Sequence, residues 1–135
     1  STPFNEINVR GFNLLDVRAL QNLTVNNTIV TGVSGSTARL TAGDLLSVSS
    51  LALTGAANIS LSARTVDLIN VTFPVGSSVN LKSEFGLLAA NPNTGAASVP
   101  GYVNFISGVK YGSQSAELQT AAYTANPMIN ISARP

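Results

Sequence analysis

The stretch from Asn58 to Ser83, NISLSARTVDLINVTFPVGSSVNLKS, contains the same apolar–polar–apolar triplet twice. Ile59-Ser60-Leu61 returns as Val79-Asn80-Leu81 twenty residues later, and Ala38-Arg39-Leu40 lies about as far upstream. Repeats with a period of about 20 to 50 residues indicate stacked architectures, in which equivalent side chains lie above one another. We therefore predict a core ladder of Leu40, Leu61 and Leu81, with Ile59 and Val79 in the column beside it.

Alternating Val, Ile, Leu and Thr, interrupted by Gly, Ser and Asn, is typical of short strands rather than helices. Three such strands in each period of about 20 residues predict an all-β fold, a short parallel β-solenoid (β-helix) with one rung per period. Leu53 and Phe73 are expected to fill a second wall of the core. The small residues Ala42, Ala63 and Ser83 are expected to form a ladder at a tight corner.

A second series aligns residues 45–48, LLSV, with 68–71, LINV, and with Leu87-Leu88. This alignment sets Asp44 and Asp67 at matching positions before an apolar strand. It also makes residues 49–51 a corner insertion without a counterpart in the following rung.

The chain is predicted to form a single domain over residues 1–135, in three parts. Residues 1–20 are an amino-terminal strand segment that a neighbouring copy can exchange, and residues 21–90 are regular rungs. Residues 91–135 form irregular carboxyl-terminal rungs and loops, because the Pro- and Gly-containing turns at 91–95 and 98–101 interrupt the repeat. A strand at 128–134 closes the chain, and residues 113–124 are the one segment with helical character.

Composition excludes several classes of function. Charged residues make up 10% of the chain, against roughly 25% in ordinary soluble domains. The seven basic and six acidic side chains are scattered, so no nucleic-acid surface is expected. The absence of Cys and His removes disulfides, the commonest general base and the commonest metal ligand. We therefore predict no enzyme activity, no cofactor, no metal and no membrane insertion.

The acidic pair Asp44 and Asp67 has two interpretations. A carboxylate ladder could bind Ca²⁺ or act as the acid pair of a polysaccharide-active β-helical enzyme. Calcium needs about six to eight oxygen ligands around one ion. The six carboxylates of this chain are dispersed along it and do not readily supply that many at one place. We adopt the other interpretation, in which each Asp caps backbone N–H groups at a corner. Arg39, Arg64 and Lys82 are expected to lie on a solvated rim.

Other polar patterns also leave alternatives open. Tyr102, Tyr111 and Tyr123 form either a ligand platform or half-buried cover. Ice binding would require Thr at the same outward position on successive rungs. The residues expected at one such position are Thr41, Ser62 and Lys82, so the array ends in Lys. Five N-glycosylation sequons either accept glycans or form Asn and Ser ladders, and they lie at Asn22, Asn26, Asn58, Asn70 and Asn130.

The run 73–81, FPVGSSVNL, is followed by 91–95, NPNTG, and by 99–106, VPGYVNFI. This order resembles the carboxyl-terminal β-helical ends of large, repeat-rich surface proteins of environmental bacteria, over about residues 59–134. The resemblance implies a β-helical fold but no site residues, because no activity is established for that group. The departure is length: those proteins are typically long, whereas this chain is short enough to be a single building block.

A solenoid rung is not stable alone, and the two end rungs are open sheet edges. The start at Ser1-Thr2-Pro3 fits a mature secreted product. We therefore predict a structural subunit of an extracellular filament or sheath, or of a cell surface, whose partners are copies of itself. The predicted self-assembly residues are Phe4, Ile7, Val9, Phe12, Ile129 and Ile131. The alternative is an adhesin or passenger-type module that binds glycans through the 91–100 loop; ice binding and polysaccharide chemistry are less favoured.

Overall fold

The computed structural model of the chain describes residues 2–5, 8–86, 98–111 and 128–133, with side chains from Arg10 onward except that of Ser107. The predictions on Ile7, Leu87-Leu88, Tyr123, the 113–124 segment and residues 91–97 of the 91–100 loop lie outside these ranges. The described residues form one nine-stranded sheet. Its strands are β1 (Thr2–Asn5), β2 (Asn8–Ala19), β3 (Leu23–Ala42), β4 (Leu45–Ser62), β5 (Thr65–Phe73), β6 (Ser78–Ser83), β7 (Val103–Ser107), β8 (Lys110–Tyr111) and β9 (Ile129–Ala133).

Every strand pairs in parallel with its neighbours, and the chain coils so that each turn lies on the one before. The fold is the predicted all-β parallel β-solenoid. The regular rungs are β3, β4 and the pair β5–β6; β1 with β2 forms the first rung and β7 to β9 form the last. Leu23 pairs with Leu46 and Leu45 with Thr65, so the offset between rungs is 23 or 20 residues at these points. No helix in the described part is long and apolar enough to cross a membrane.

The paired segments form three walls. The first wall contains residues 2–5, 23–26, 45–49, 65–69 and 103–107. The second contains residues 8–10, 28–31, 51–54, 71–73 and 110–111. The third contains residues 14–19, 36–42, 56–62, 78–83 and 129–133.

The core fills the space between the walls with columns of aliphatic side chains. Leu40 pairs with Leu61 and Leu61 with Leu81, as the 20-residue spacing predicts, and all three are buried. Because side chains alternate across a strand, every second residue joins a column and its neighbours face outward. Ala38, Ile59 and Val79 form the adjacent column, and Leu53 and Phe73 are buried in the second wall. The small residues Ala42, Ala63 and Ser83 are buried at the end of the third wall.

The corner between the first and second walls is one residue in the left-handed region. Asn27, Ser50 and Asn70 have φ values of 49°, 62° and 51°, and Gly108 follows with 65°. A single left-handed residue bends an extended chain sharply, and strand pairing continues on both sides of the bend. For this reason β3 and β4 each run through the corner as one long strand, where three separate short strands per rung were predicted.

The second series in the sequence was aligned wrongly. Leu45 pairs with Thr65, and Asp67 pairs with Ser47, so Asp44 and Asp67 do not match. The LLSV and LINV motifs look alike, but the first lies on one wall and the second crosses the left-handed corner.

The predicted corner insertion at 49–51 is also wrong, since Ser49 pairs with Ile69 and Leu51 with Val71. The extra residues lie at the corner between the second and third walls. There Thr31 pairs with Thr54 and Ser36 with Ala56, so β3 has four residues between these two pairs and β4 has one.

Candidate assembly surfaces at the two ends of the solenoid

The described solenoid has an open sheet edge at each end. Strands β1 and β2 pair with β3 alone, and β7, β8 and β9 pair only with β5 and β6. The outward side of an edge strand carries N–H and C=O groups without a strand partner. An edge strand can accept another parallel strand, and the third wall has one at each end of the described solenoid, residues 14–19 of β2 and strand β9.

The apolar columns of the third wall run through to both ends. One column is Val17, Leu40, Leu61, Leu81 and Ile131. Leu61 is 1% exposed and Leu81 is fully buried, whereas Val17 and Ile131 are only partly buried. The end members have the same aliphatic character as the interior ones but lack a neighbour on one side among the described residues. In the column beside it Leu15 is also partly buried, whereas Ile129 at the other end is buried.

The structure separates the predicted self-assembly residues between the two ends. Ile129 and Ile131 lie in β9, while Phe12 lies in β2 and packs partly buried against the core. Phe4 lies in β1 and Val9 lies in β2, and only the backbone of these two residues is described. Sequence reasoning missed Leu15 and Val17 as end residues, although the alternation of residues 15–19, LDVRA, carries their signal.

The outward rows of the third wall are polar apart from Leu14; Asp16, Arg18 and Arg39 lie toward the amino-terminal end and Lys82 lies near the other. Arg18 donates two hydrogen bonds to Asp16, at 3.2 and 2.9 Å, and Arg39 lies 3.8 Å from the same carboxylate. These hydrogen bonds from Arg18 hold the pKa of Asp16 below its ordinary value, and the charges of both arginines act in the same direction. At the other end, the Asn130 amide donates to Asn80 Oδ1 at 3.4 Å. This is a single rung-to-rung contact of the kind that an Asn ladder would contain, and it involves one sequon residue, Asn130.

The two aspartates do not act as a pair. Asp67 is 8% exposed within β5, and its Oδ1 accepts hydrogen bonds from Ser98 Oγ and Asn104 Nδ2, both at 2.9 Å. Asp44 lies at an exposed corner, where its backbone N–H and C=O join the neighbouring rungs. The prediction that Asp67 caps a corner is therefore wrong, because it holds a covering loop onto the first wall. In the described ranges no three acidic side chains are grouped closely enough to hold a metal ion.

The two described tyrosines cover loops. The Tyr111 hydroxyl donates to Ser77 O at 2.6 Å and the side chain is buried. The Tyr102 ring lies 5.3 Å from that of Phe85 and is half-buried. At the outward position tested for ice binding, Thr41 pairs with Ser62 and Ser62 with Lys82, as predicted, so the Thr array ends.

A shallow open groove of about 510 Å³ follows the left-handed corner along the solenoid. One side is the row Asn27, Ser50 and Asn70, and the other is the outward row Ile29, Ala52 and Thr72. Its lining has no charged side chain.

Comparison with protein-family models, curated proteins and solved structures finds no match for this chain. The two ends are therefore interpreted from their own geometry and chemistry.

Proposed function

We propose that the protein is a structural subunit of an extracellular filament or sheath, and that its copies stack end to end. The observation that carries this proposal is the run of apolar columns that reach both described edges, where Leu15, Val17 and Ile131 are only partly buried, although Ile129 is buried. A contact between two different ends of identical copies is heterologous and does not close when the copies follow one axis. Such a contact produces an open polymer.

The composition supports a polymer with little chemistry of its own. With seven basic and six acidic side chains, copies carry almost no net charge that would oppose stacking. Secretion, and kinship with the β-helical ends of bacterial surface proteins, belong to the same proposal.

Stacking of intact copies accounts for the ends better than strand exchange does. Strands β1 and β2 already pair with β3 of their own chain, along nearly the whole length of β2. Exchange would first break those backbone hydrogen bonds and expose the first-rung side chains, whereas stacking leaves them in place.

Electron microscopy and sedimentation of purified protein test the proposal. We expect fibres in the wild type, and their loss in Ile131→Lys, which places a charge at an open end. The matched control is Ser60→Lys, on the outward face in the middle of the third wall, which should fold and form fibres as before. A wild-type protein that stays monomeric at millimolar concentration, with a folded circular dichroism spectrum, contradicts the proposal.

The uncharged groove along the left-handed corner favours a second candidate, a glycan-binding module. Asn and Thr side chains beside Ile29 offer both hydrogen bonds and apolar contact to a sugar. A glycan array with wild type and Ala52→Arg, which obstructs the groove, separates this candidate from an inert subunit. Specific binding that Ala52→Arg abolishes supports it, and binding to nothing on the array rejects it.

A further inference from the structure

The two ends of the third wall are related as successive layers of one stack. On interior positions, β9 presents Ile129, Ile131 and Ala133, and β2 presents Leu15, Val17 and Ala19. In both strands two branched aliphatic residues are followed by Ala at the corner. Of the rungs between them, β4 has the same order, with Ile59 and Leu61 followed by Ala63, whereas β3 has Ala38, Leu40 and Ala42 and β6 has Val79, Leu81 and Ser83.

Only one alignment of β9 on β2 continues these columns. A one-residue slip turns the isoleucines to the outward face, since side chains alternate with a period of two. A two-residue shift in one direction sets Ile129 over Asn13, whose side chain is exposed. The opposite shift sets Ile131 over Ala19 and leaves Ala133 beyond the end of β2.

The outward rows are compatible with the same alignment. It places Asn130 beside Asp16 and Ser132 beside Arg18, so neutral hydrogen-bonding side chains meet the charged ones. No like charges meet, because β9 has no charged residue. The Asn130 amide, which already donates to Asn80, has a second N–H that can reach the Asp16 carboxylate.

The first wall is less suited to set the contact. Pro3 lies in its edge strand β1 and has no N–H to donate to a strand ladder. The third-wall segment of β2, residues 14–19, and strand β9 contain no proline.

We infer that copies join through the third wall, with β9 of one copy paired in parallel to β2 of the next, Ile131 on Val17 and Asn130 beside Asp16. This inference rests on the proposed end-to-end polymer and fixes its register. The partner is a second copy of this chain, and the interior columns continue unbroken from one copy into the next.

Cysteine cross-linking tests the register, because the chain has no Cys of its own. Aligned residues on neighbouring strands lie about 4.8 Å apart, within the roughly 4.4 to 6.8 Å that a disulfide spans. Within one copy residues 16 and 130 are four strand spacings apart, about 19 Å, so an internal disulfide is excluded.

The double variant Asp16→Cys/Asn130→Cys should give a ladder of covalent dimers, trimers and longer species on a non-reducing gel after mild oxidation. Arg18→Cys/Ser132→Cys should give the same ladder and guards against a local effect of losing Asp16. The matched control, Arg18→Cys/Asn130→Cys, is offset by two residues and should give none.

Fibres in the microscope with no ladder from either matched pair, or with a ladder from the offset pair, overturn the register and leave the proposed function standing. The absence of both fibres and ladders from every variant overturns the proposed function itself.

Discussion

At the scale of single residues, the left-handed corner decides how each rung turns. Asn tolerates positive φ because its short polar side chain can bond locally, and Gly108 tolerates it because it has no Cβ. A Cβ at Gly108 would also collide with Asn70 Oδ1. Ser50, with φ of 62°, is the member of this row least adapted to its conformation.

Replacing Ser50 by Val should lower the free energy of unfolding by about 1–2 kcal/mol, because a β-branched side chain is strained at positive φ. The control is Ser49→Val, one residue earlier in extended backbone, where Val is favoured and stability should hold or rise. Urea denaturation of both variants measures the difference. Equal losses would show that the corner conformation is not what Ser50 contributes.

Asp67 is the other residue whose role the structure defines. Replacement by Ala removes an acceptor that Ser98 and Asn104 share, while Asn104 keeps its hydrogen bonds to Val99 O and Tyr102 O, and it should cost about 1–3 kcal/mol. Amide hydrogen exchange should accelerate at Gly101 and Tyr102, in the loop that Asp67 holds. Ser47→Ala, at the paired outward position on β4, should leave that exchange unchanged; acceleration in Ser47→Ala as well would assign the effect to the wall rather than to the Asp67 contacts.

At the scale of elements, each column of the third wall has interior residues and two end residues. Truncating an interior side chain should lower the free energy of unfolding more than truncating a partly buried end side chain. Leu61→Ala should lower the free energy of unfolding by about 2–5 kcal/mol, as buried truncations do. Ile131→Ala should cost the monomer less, since that side chain is only partly buried. It should weaken polymerisation more than Leu61→Ala does, once both are compared under conditions where they are folded.

Chemical denaturation of the monomers and the critical concentration for assembly together provide the check. A cost for Ile131→Ala in the monomer as large as that for Leu61→Ala, with no effect on assembly, would place Ile131 in the core of a finished domain.

The elements also show what the sequence could predict. The third wall was predictable because Leu40, Leu61 and Leu81 recur at nearly constant spacing within clear alternation. The first wall was misaligned because the left-handed corner residue interrupts the period of two, and Asn and Ser there resemble ordinary outward residues. The covering role of Asp67 was not predictable, since Ser98 and Asn104 reach it from more than thirty residues away.

At the scale of the whole molecule, assembly should depend on apolar burial and backbone pairing rather than on charge. Between about 0.1 and 1 M NaCl the screening length falls from about 10 to about 3 Å. With charges this sparse, we expect the critical concentration to rise by less than about threefold over that range. A rise above about tenfold, measured by sedimentation of the polymer, would indicate a contact held by ion pairs instead.

The axial rise of the polymer tests the central claim most directly. The first wall has five strands, in the order β1, β3, β4, β5 and β7, so a copy stacked without a gap adds five strand spacings, about 24 Å. A helical reconstruction from cryo-electron micrographs should show this rise, with sheet layers about 4.8 Å apart running unbroken across the junction between copies. Fibres in which the layers stop at each junction, or whose copies pack side by side with no rise near that value, would contradict the account.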